Sequence, residues 1–209
     1  MNAENELMYD EDRRFGRSPR GRRMNDFERK TTQFVLSRLR PDSRVVDVPC
    51  GTGRFTDIIT GAGHRYVGVD LNLGNARHAA KRLNVPLTTV QASVLELPLA
   101  DNCADFALCV RMFHHFSRDQ IERALQEMSR IAPQCLVTFY NRRTWRVQKR
   151  RFSLRIRRKA RYGGDAWDAK TYSVPEMAGL AQKAGLRIKQ KVPSTSFLTT
   201  NQFLWLERV

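Results

Sequence analysis

The sequence predicts an α/β chain in which a doubly wound, mostly parallel sheet is covered by helices on both faces. Short β-branched runs alternate with amphipathic stretches along nearly the whole chain, which is the pattern of strands joined by helical crossovers. The 209 residues suffice for one substantial core and fit one domain better than two. A Pro/Gly-rich turn, Val48-Pro49-Cys50-Gly51-Thr52-Gly53, directly follows the first strand, so the chain passes from strand to helix through a segment able to bring backbone N–H groups close to a ligand.

Residues 1–23 mix acids and arginines around Gly16, Pro19 and Gly21 without apolar periodicity, and predict a flexible arm. Asn25 or Asp26 is suited to cap a helix reaching Arg40, with Phe27, Phe34, Val35 and Leu39 on its stripe and Pro41 as its stop. The first strand starts at Arg44 and ends at Asp47, and Tyr66 to Asp70 form the second. A polar stretch then leads to a helix over 76–83 and a third strand over 87–90. Asp105 to Val110 read as the fourth strand, Gln120 to Ile131 as a long helix capped by Ser117 or Asp119, and Cys135 to Tyr140 as the fifth strand. A helix opening at Tyr172-Ser173-Val174-Pro175 precedes two last strands, over 186–190 and 203–208.

Composition narrows the function classes. No apolar run reaches membrane-spanning length, and the acidic, polar start Met1-Asn2-Ala3-Glu4 is unlike a signal peptide, so a cytoplasmic address is expected. Four scattered cysteines without a CxxC spacing suggest neither a zinc site nor a disulfide framework, and no metal is expected. The net charge is +16, and eleven basic residues with no acid lie between Arg142 and Arg161, inside a basic insertion at 141–168. The excess is one local device aimed at a polyanion: nucleic acid, an anionic membrane surface or a phosphorylated acceptor.

Two acids close the first two strands, Asp47 before the glycine turn and Asp70 at the distance where nucleotide-binding units place a ribose-binding carboxylate. Thr56 stands where a dinucleotide fingerprint needs its third glycine, which disfavours nicotinamide and flavin cofactors. The pattern Asp47-x-Pro49-x-Gly51-x-Gly53 followed by Asp70 resembles the class I S-adenosylmethionine-dependent methyltransferases, in particular their small single-domain branch, over most of residues 27–209. The family loop is usually Asp/Glu-x-Gly-x-Gly-x-Gly, and Pro49 replaces its first glycine. The resemblance implies a Rossmann-like, seven-stranded sheet with an antiparallel terminal strand in a domain over 24–209, and S-adenosyl-L-methionine as cofactor.

By that resemblance Asp47 orients the methionine ammonium through the loop, Pro49, Cys50, Gly51 and Gly53 approach the methionine part, and Asp70 with Leu71 takes the ribose. Ser93 stands where the family has an acid for the adenine amino group, a weaker acceptor than a carboxylate, and the backbone of Val94 joins it. Val110 completes the cofactor wall. After it, Arg111-Met112-Phe113-His114-His115 follow a strand end directly and are expected to line the reaction chamber. His114 or His115 is a candidate general base, with Asp12 and Tyr9 behind them, and packing is the competing role for both histidines.

The expected acceptor contacts are Arg111, Arg142, Arg143, Arg146, Arg150, Arg151, Arg157 and Arg158. On a helix, Trp145, Phe152, Ile156 and Ala160 fall on one face with cations around it, which suits either a cationic rim on the domain or a peripheral position at the inner face of a membrane. No Asn-Pro-Pro-Tyr-type motif follows the fourth strand, which argues mildly against amino methylation of DNA or protein. Three functions fit: methyl transfer to an oxygen or nitrogen of an anionic small or lipid-linked acceptor, methyl transfer to RNA gripped by the basic insertion, and non-catalytic binding of S-adenosylmethionine.

Overall fold

A computed structural model describes residues 18–81, 88–145, 147–149, 170–192 and 201–209. Helix α1 spans Pro19–Leu36: Ser18 Oγ accepts from the Gly21 N–H at 3.0 Å and Pro19 fills the first turn, so a proline-led cap starts the helix inside the segment expected to be a flexible arm. It also ends before Pro41, in hydrogen-bonded turns from Ser37 to Leu39. Residues 1–17, including Tyr9 and Asp12, lie outside the described residues.

The strands are β1 (Arg44–Asp47), β2 (Arg65–Asp70), β3 (Thr88–Gln91), β4 (Phe106–Cys109), β5 (Gln134–Tyr140), β6 (Leu186–Val192) and β7 (Asn201–Arg208). They form one seven-stranded sheet in the order β3-β2-β1-β4-β5-β7-β6. The first five run parallel, and β7 is antiparallel to both of its neighbours. The last strand in sequence is therefore inserted between β5 and β6 instead of lying at the edge. That position explains the unbroken apolar run Phe203-Leu204-Trp205-Leu206, buried on both faces.

Helices α2 (Thr56–Gly61), α3 (Leu73–Lys81), α4 (Arg118–Ile131) and α5 (Val174–Lys183) make the crossovers. Ser117 with Gln120, and Ser173 with Glu176, close capping boxes on α4 and α5, so Ser117 and not Asp119 caps the long helix. Adjacent residues of a strand serve opposite faces. Val46, Ala107, Cys109, Cys135 and Val137 pack under α4 and α5, whereas Val45, Phe106, Leu108 and Leu136 pack on the face that holds Val35, Leu36, Ile59 and Ala79.

The chain winds outward from β1 through β2 to β3, then returns to place β4 and β5 on the other side of β1. Carboxyl ends of β1 and β4 thus diverge at a topological switch point, where their loops leave a crevice.

Candidate functional site

At that switch point lies a cleft of ≈ 750 Å³, counting its open mouth. The turn after β1 supplies Pro49, Cys50, Gly51, Arg54 and Phe55, the end of β2 supplies Asp70, α3 supplies Asn75, and the segment after β4 supplies Val110, Arg111, Met112, His114 and His115.

The turn is held by its own backbone. Cys50 N–H donates to Val69 O at 2.8 Å, Gly53 N–H to Cys50 O at 3.0 Å, and Thr56 Oγ1 to Gly53 O at 2.8 Å. Gly51 and Gly53 both adopt positive φ, 54° and 81°. For Gly53 the missing side chain serves packing: an added Cβ would lie 2.7 Å from Thr56 Oγ1 and 2.9 Å from Ala79 Cα, so α3 closes directly on the turn. Gly53 was expected to approach a ligand, and it does not line the cleft.

Asp70, buried at the end of β2, is the organising acid. Its Oδ2 accepts from Gly51 N–H at 2.9 Å, and its Oδ1 accepts from Asn72 N–H at 2.9 Å and Asn75 Nδ2 at 3.3 Å. Asp47 is buried beneath the turn at 1% exposure and stands outside the lining, as do Leu71, Ser93 and Val94. Leu71 points to solvent. Ser93 Oγ accepts from Leu95 N–H at 3.2 Å in a local turn, and Val94 is buried in the core. Of the expected cofactor residues, Pro49, Cys50, Gly51, Asp70 and Val110 are brought together. Burial, then the carboxylates of Asp47 and Asp70, push the Cys50 thiol up, which keeps it protonated beside the acids.

Two further lining residues, Arg54 and Arg111, are held by a buried ion cluster that local sequence patterns do not announce. Glu28 of α1, fully buried, accepts from Arg54 Nη1 at 2.7 Å and from Arg111 Nε at 2.9 and 3.0 Å, and also from Asn201 Nδ2 at the start of β7. One carboxylate thereby anchors two cleft-lining guanidinium groups from different loops. Arg54 also lies over the Phe55 ring at 4.3 Å. Arg111 has φ 64°, a sparsely populated backbone for a side chain of this size, and its N–H donates to buried Thr138 Oγ1 at 2.7 Å. Held at both ends, Arg111 keeps that conformation.

His114 is buried, with its ring 4.3 Å from the Tyr140 ring and 3.9 Å from that of His115. Lys170 N–H donates to His114 O at 2.8 Å. His115 is exposed on the cleft wall. The sequence pair thus separates into an inner packed histidine and an outer one facing the chamber.

Among the expected acceptor residues, Arg142 is turned back onto the domain: its Nη2 donates to Thr171 O at 2.8 Å and lies 3.2 Å from Glu176 Oε1. Arg143 is exposed, and so is Trp145, with Lys149 Nζ 4.9 Å from its ring centre. Arg146, Arg150, Arg151, Phe152, Ile156, Arg157, Arg158 and Ala160 lie outside the described residues. Among the described residues no helix is long and apolar enough to cross a membrane.

A family model described as a methyltransferase domain matches residues 45–133, which carry the turn, Asp70 and the His pair. The uncharacterized protein MJ0638 of Methanocaldococcus jannaschii is 31% identical over 90 residues, 43% of this chain and 36% of that protein. Demethylmenaquinone methyltransferase of Corynebacterium kroppenstedtii is 40% identical over 79 residues, 38% of this chain and 33% of that enzyme. The match spans about a third of the length of either curated relative. Magnesium protoporphyrin IX methyltransferase of Synechocystis, solved with bound SAH, shares the fold at a TM-score of 0.74 with 14% identity, covering 96% of this chain and 94% of that one. Residues 45–133 thus match a methyltransferase domain, and the sheet order of the chain is that of a fold shared with solved methyltransferases.

Proposed function

We propose that this protein is a methyltransferase that holds S-adenosyl-L-methionine in the switch-point cleft and methylates an oxygen or nitrogen of an anionic acceptor. The observation that carries the reading is that one cleft is lined by two hydrogen-bonded groups, Gly51 and Asn75 on the Asp70 carboxylate and Arg54 and Arg111 on the Glu28 carboxylate, with His115 on the same wall. The Asp70 group fits the cofactor, because a buried carboxylate beside a side-chain-free turn matches a nucleoside with hydroxyl donors. Bound there, the cofactor supplies an electrophilic methyl group on a sulfonium. Gly51 and Asp70 fix the nucleoside, and Val110 and Met112 wall the reaction chamber against water. Arg54 and Arg111, preset by Glu28, attract and orient the acceptor's anion, which turns an encounter into a near-attack arrangement. His115, exposed on the same wall, is placed to take a proton from the attacking atom.

An amphiphilic, lipid-linked acceptor is the class we favour. Trp145 is exposed just beyond β5, with Lys149 over its ring, at the start of the segment carrying eleven cations, and exposed tryptophan flanked by cations suits a lipid–water boundary. The similarity to a demethylmenaquinone methyltransferase points the same way. The test is transfer from cofactor labelled in its methyl group to a total lipid extract and, separately, to total RNA. Label in the lipid fraction, lowered by high salt, is expected. Label in RNA alone would replace the lipid acceptor with a nucleic acid gripped by the basic segment.

A further inference from the structure

Asn75, third residue of α3, lines the cleft beside Asp70 and is more than nine-tenths buried. Its backbone N–H donates to Asn72 Oδ1 at 3.2 Å, and its Nδ2 donates to Asp70 Oδ1 at 3.3 Å. The second of these fixes which way the amide faces, since the reversed amide would set a carbonyl oxygen against a carboxylate. The remaining atom, Oδ1, is a buried acceptor with no donor among the described residues. Asparagine is a mediocre helix former, so helix propensity gives no reason for it at this place, and a buried acceptor without a donor detracts from stability.

The hydrogen-bond capacity of Asp70 indicates what the amide is for. A carboxylate has about four acceptor positions. Three N–H groups, from Gly51, Asn72 and Asn75, already occupy Asp70, which leaves about one position for a ligand. A ribose presents two hydroxyl donors. One acceptor too few remains on Asp70, and the adjoining amide has one acceptor to offer.

We infer that Asn75 is a second ribose-selecting residue: its Nδ2 positions Asp70 and its Oδ1 accepts the hydroxyl that Asp70 cannot. The inference rests on the cofactor reading proposed above and adds to it a residue of this chain that decides between ribose and deoxyribose. A site made only of acceptors at this point takes hydroxyls and repels phosphate, so the same residue disfavours nucleotides phosphorylated on the ribose.

The test is calorimetric titration of the full chain with S-adenosylhomocysteine and with its 2′-deoxy and 3′-deoxy counterparts, for wild type, Asn75→Leu and Asn75→Ala. Leucine keeps the volume without polar atoms, and alanine cannot crowd the turn. Thermal melts identify any variant that fails to fold. Wild type is expected to bind at least one deoxy compound about tenfold more weakly than the ribose form, and both variants to lose most of that discrimination while binding the ribose form about tenfold more weakly. Discrimination unchanged in a folded variant, or absent from a wild type that binds, overturns the inference and leaves the cofactor reading standing. Failure of wild type to bind S-adenosylhomocysteine at all sinks the cofactor reading itself, and this inference with it.

Discussion

Asp70 Oδ2 accepts a hydrogen bond from the backbone N–H of Gly51 at 2.9 Å, so the acid that closes β2 also fastens the turn that follows β1. Asp70→Ala therefore removes a brace and, on the proposed reading, a ligand acceptor. We expect S-adenosylmethionine affinity to fall by about 1.5–3 kcal/mol, with faster amide exchange at Gly51, read by calorimetry and hydrogen exchange. Affinity preserved with exchange unchanged would separate Asp70 from both roles.

Gly53→Ala is expected to destabilise the fold by about 1–3 kcal/mol, because the new methyl group meets Ala79 Cα at 2.9 Å in a backbone conformation of φ 81°. Thermal unfolding measures this. A melting temperature equal to wild type would show that α3 can retreat from the turn without loss.

Glu28→Ala removes the carboxylate that Arg54 and Arg111 share. The expected loss is about 3–5 kcal/mol of stability, in the range for breaking a buried ion pair by deleting one partner. Glu28→Gln should recover part of it, since the amide oxygen still accepts. Chemical denaturation yields both values, and a neutral Glu28→Ala substitution would contradict the anchoring role.

The histidines should part company in a pH–rate profile. His115→Ala is expected to lower turnover about 10²-fold and abolish the rise of rate with pH that a general base produces, with cofactor affinity unchanged. His114→Ala should chiefly lower stability, because its ring packs between His115 and Tyr140. The same rise of rate with pH surviving in His115→Ala would remove the outer histidine as base.

Burial raises the Glu176 carboxyl, but hydrogen bonds from Ser173 and Arg118 and the nearby Arg142 outweigh it and hold it down to about 2. A depressed folded-state value means its contribution is present above the ordinary carboxylate value of 4.5 and is lost as pH falls toward 2. Glu176→Ala should lower the melting temperature at pH 7, and the difference from wild type should shrink progressively below pH 4.5. A constant difference across that window would show that the capping contribution does not depend on the charge.

What sequence reading could reach follows the range of the interactions. Gly51 and Asp70 are separated by short segments whose strand and turn chemistry is local, so their convergence at one crevice could be read from spacing, whereas Asp47 lies buried beneath the turn. Glu28 meets Arg54, Arg111 and Asn201 across 26, 83 and 173 residues, and no local pattern records such a meeting. Asn75 carries a signal, a polar residue early in a helix close to Asp70, but that its buried carbonyl has no donor among the described residues emerges only from the folded chain. Gly53 shows the reverse failure: its positive φ agrees with a glycine turn, while the surface it approaches is Ala79 of the next crossover helix. The start of α1 is hidden in the sequence because Ser18-Pro19, a cap signal, lies among arginines that read as a solvated arm.

On the proposed reading, the cleft between β1 and β4 takes S-adenosylmethionine through Asp70. The most direct measurement is calorimetric titration of wild type and Asp70→Ala with S-adenosylhomocysteine. One saturable site in wild type, weakened at least about tenfold in the folded variant, is the predicted result. No binding by wild type, or equal binding by the two proteins, would contradict it.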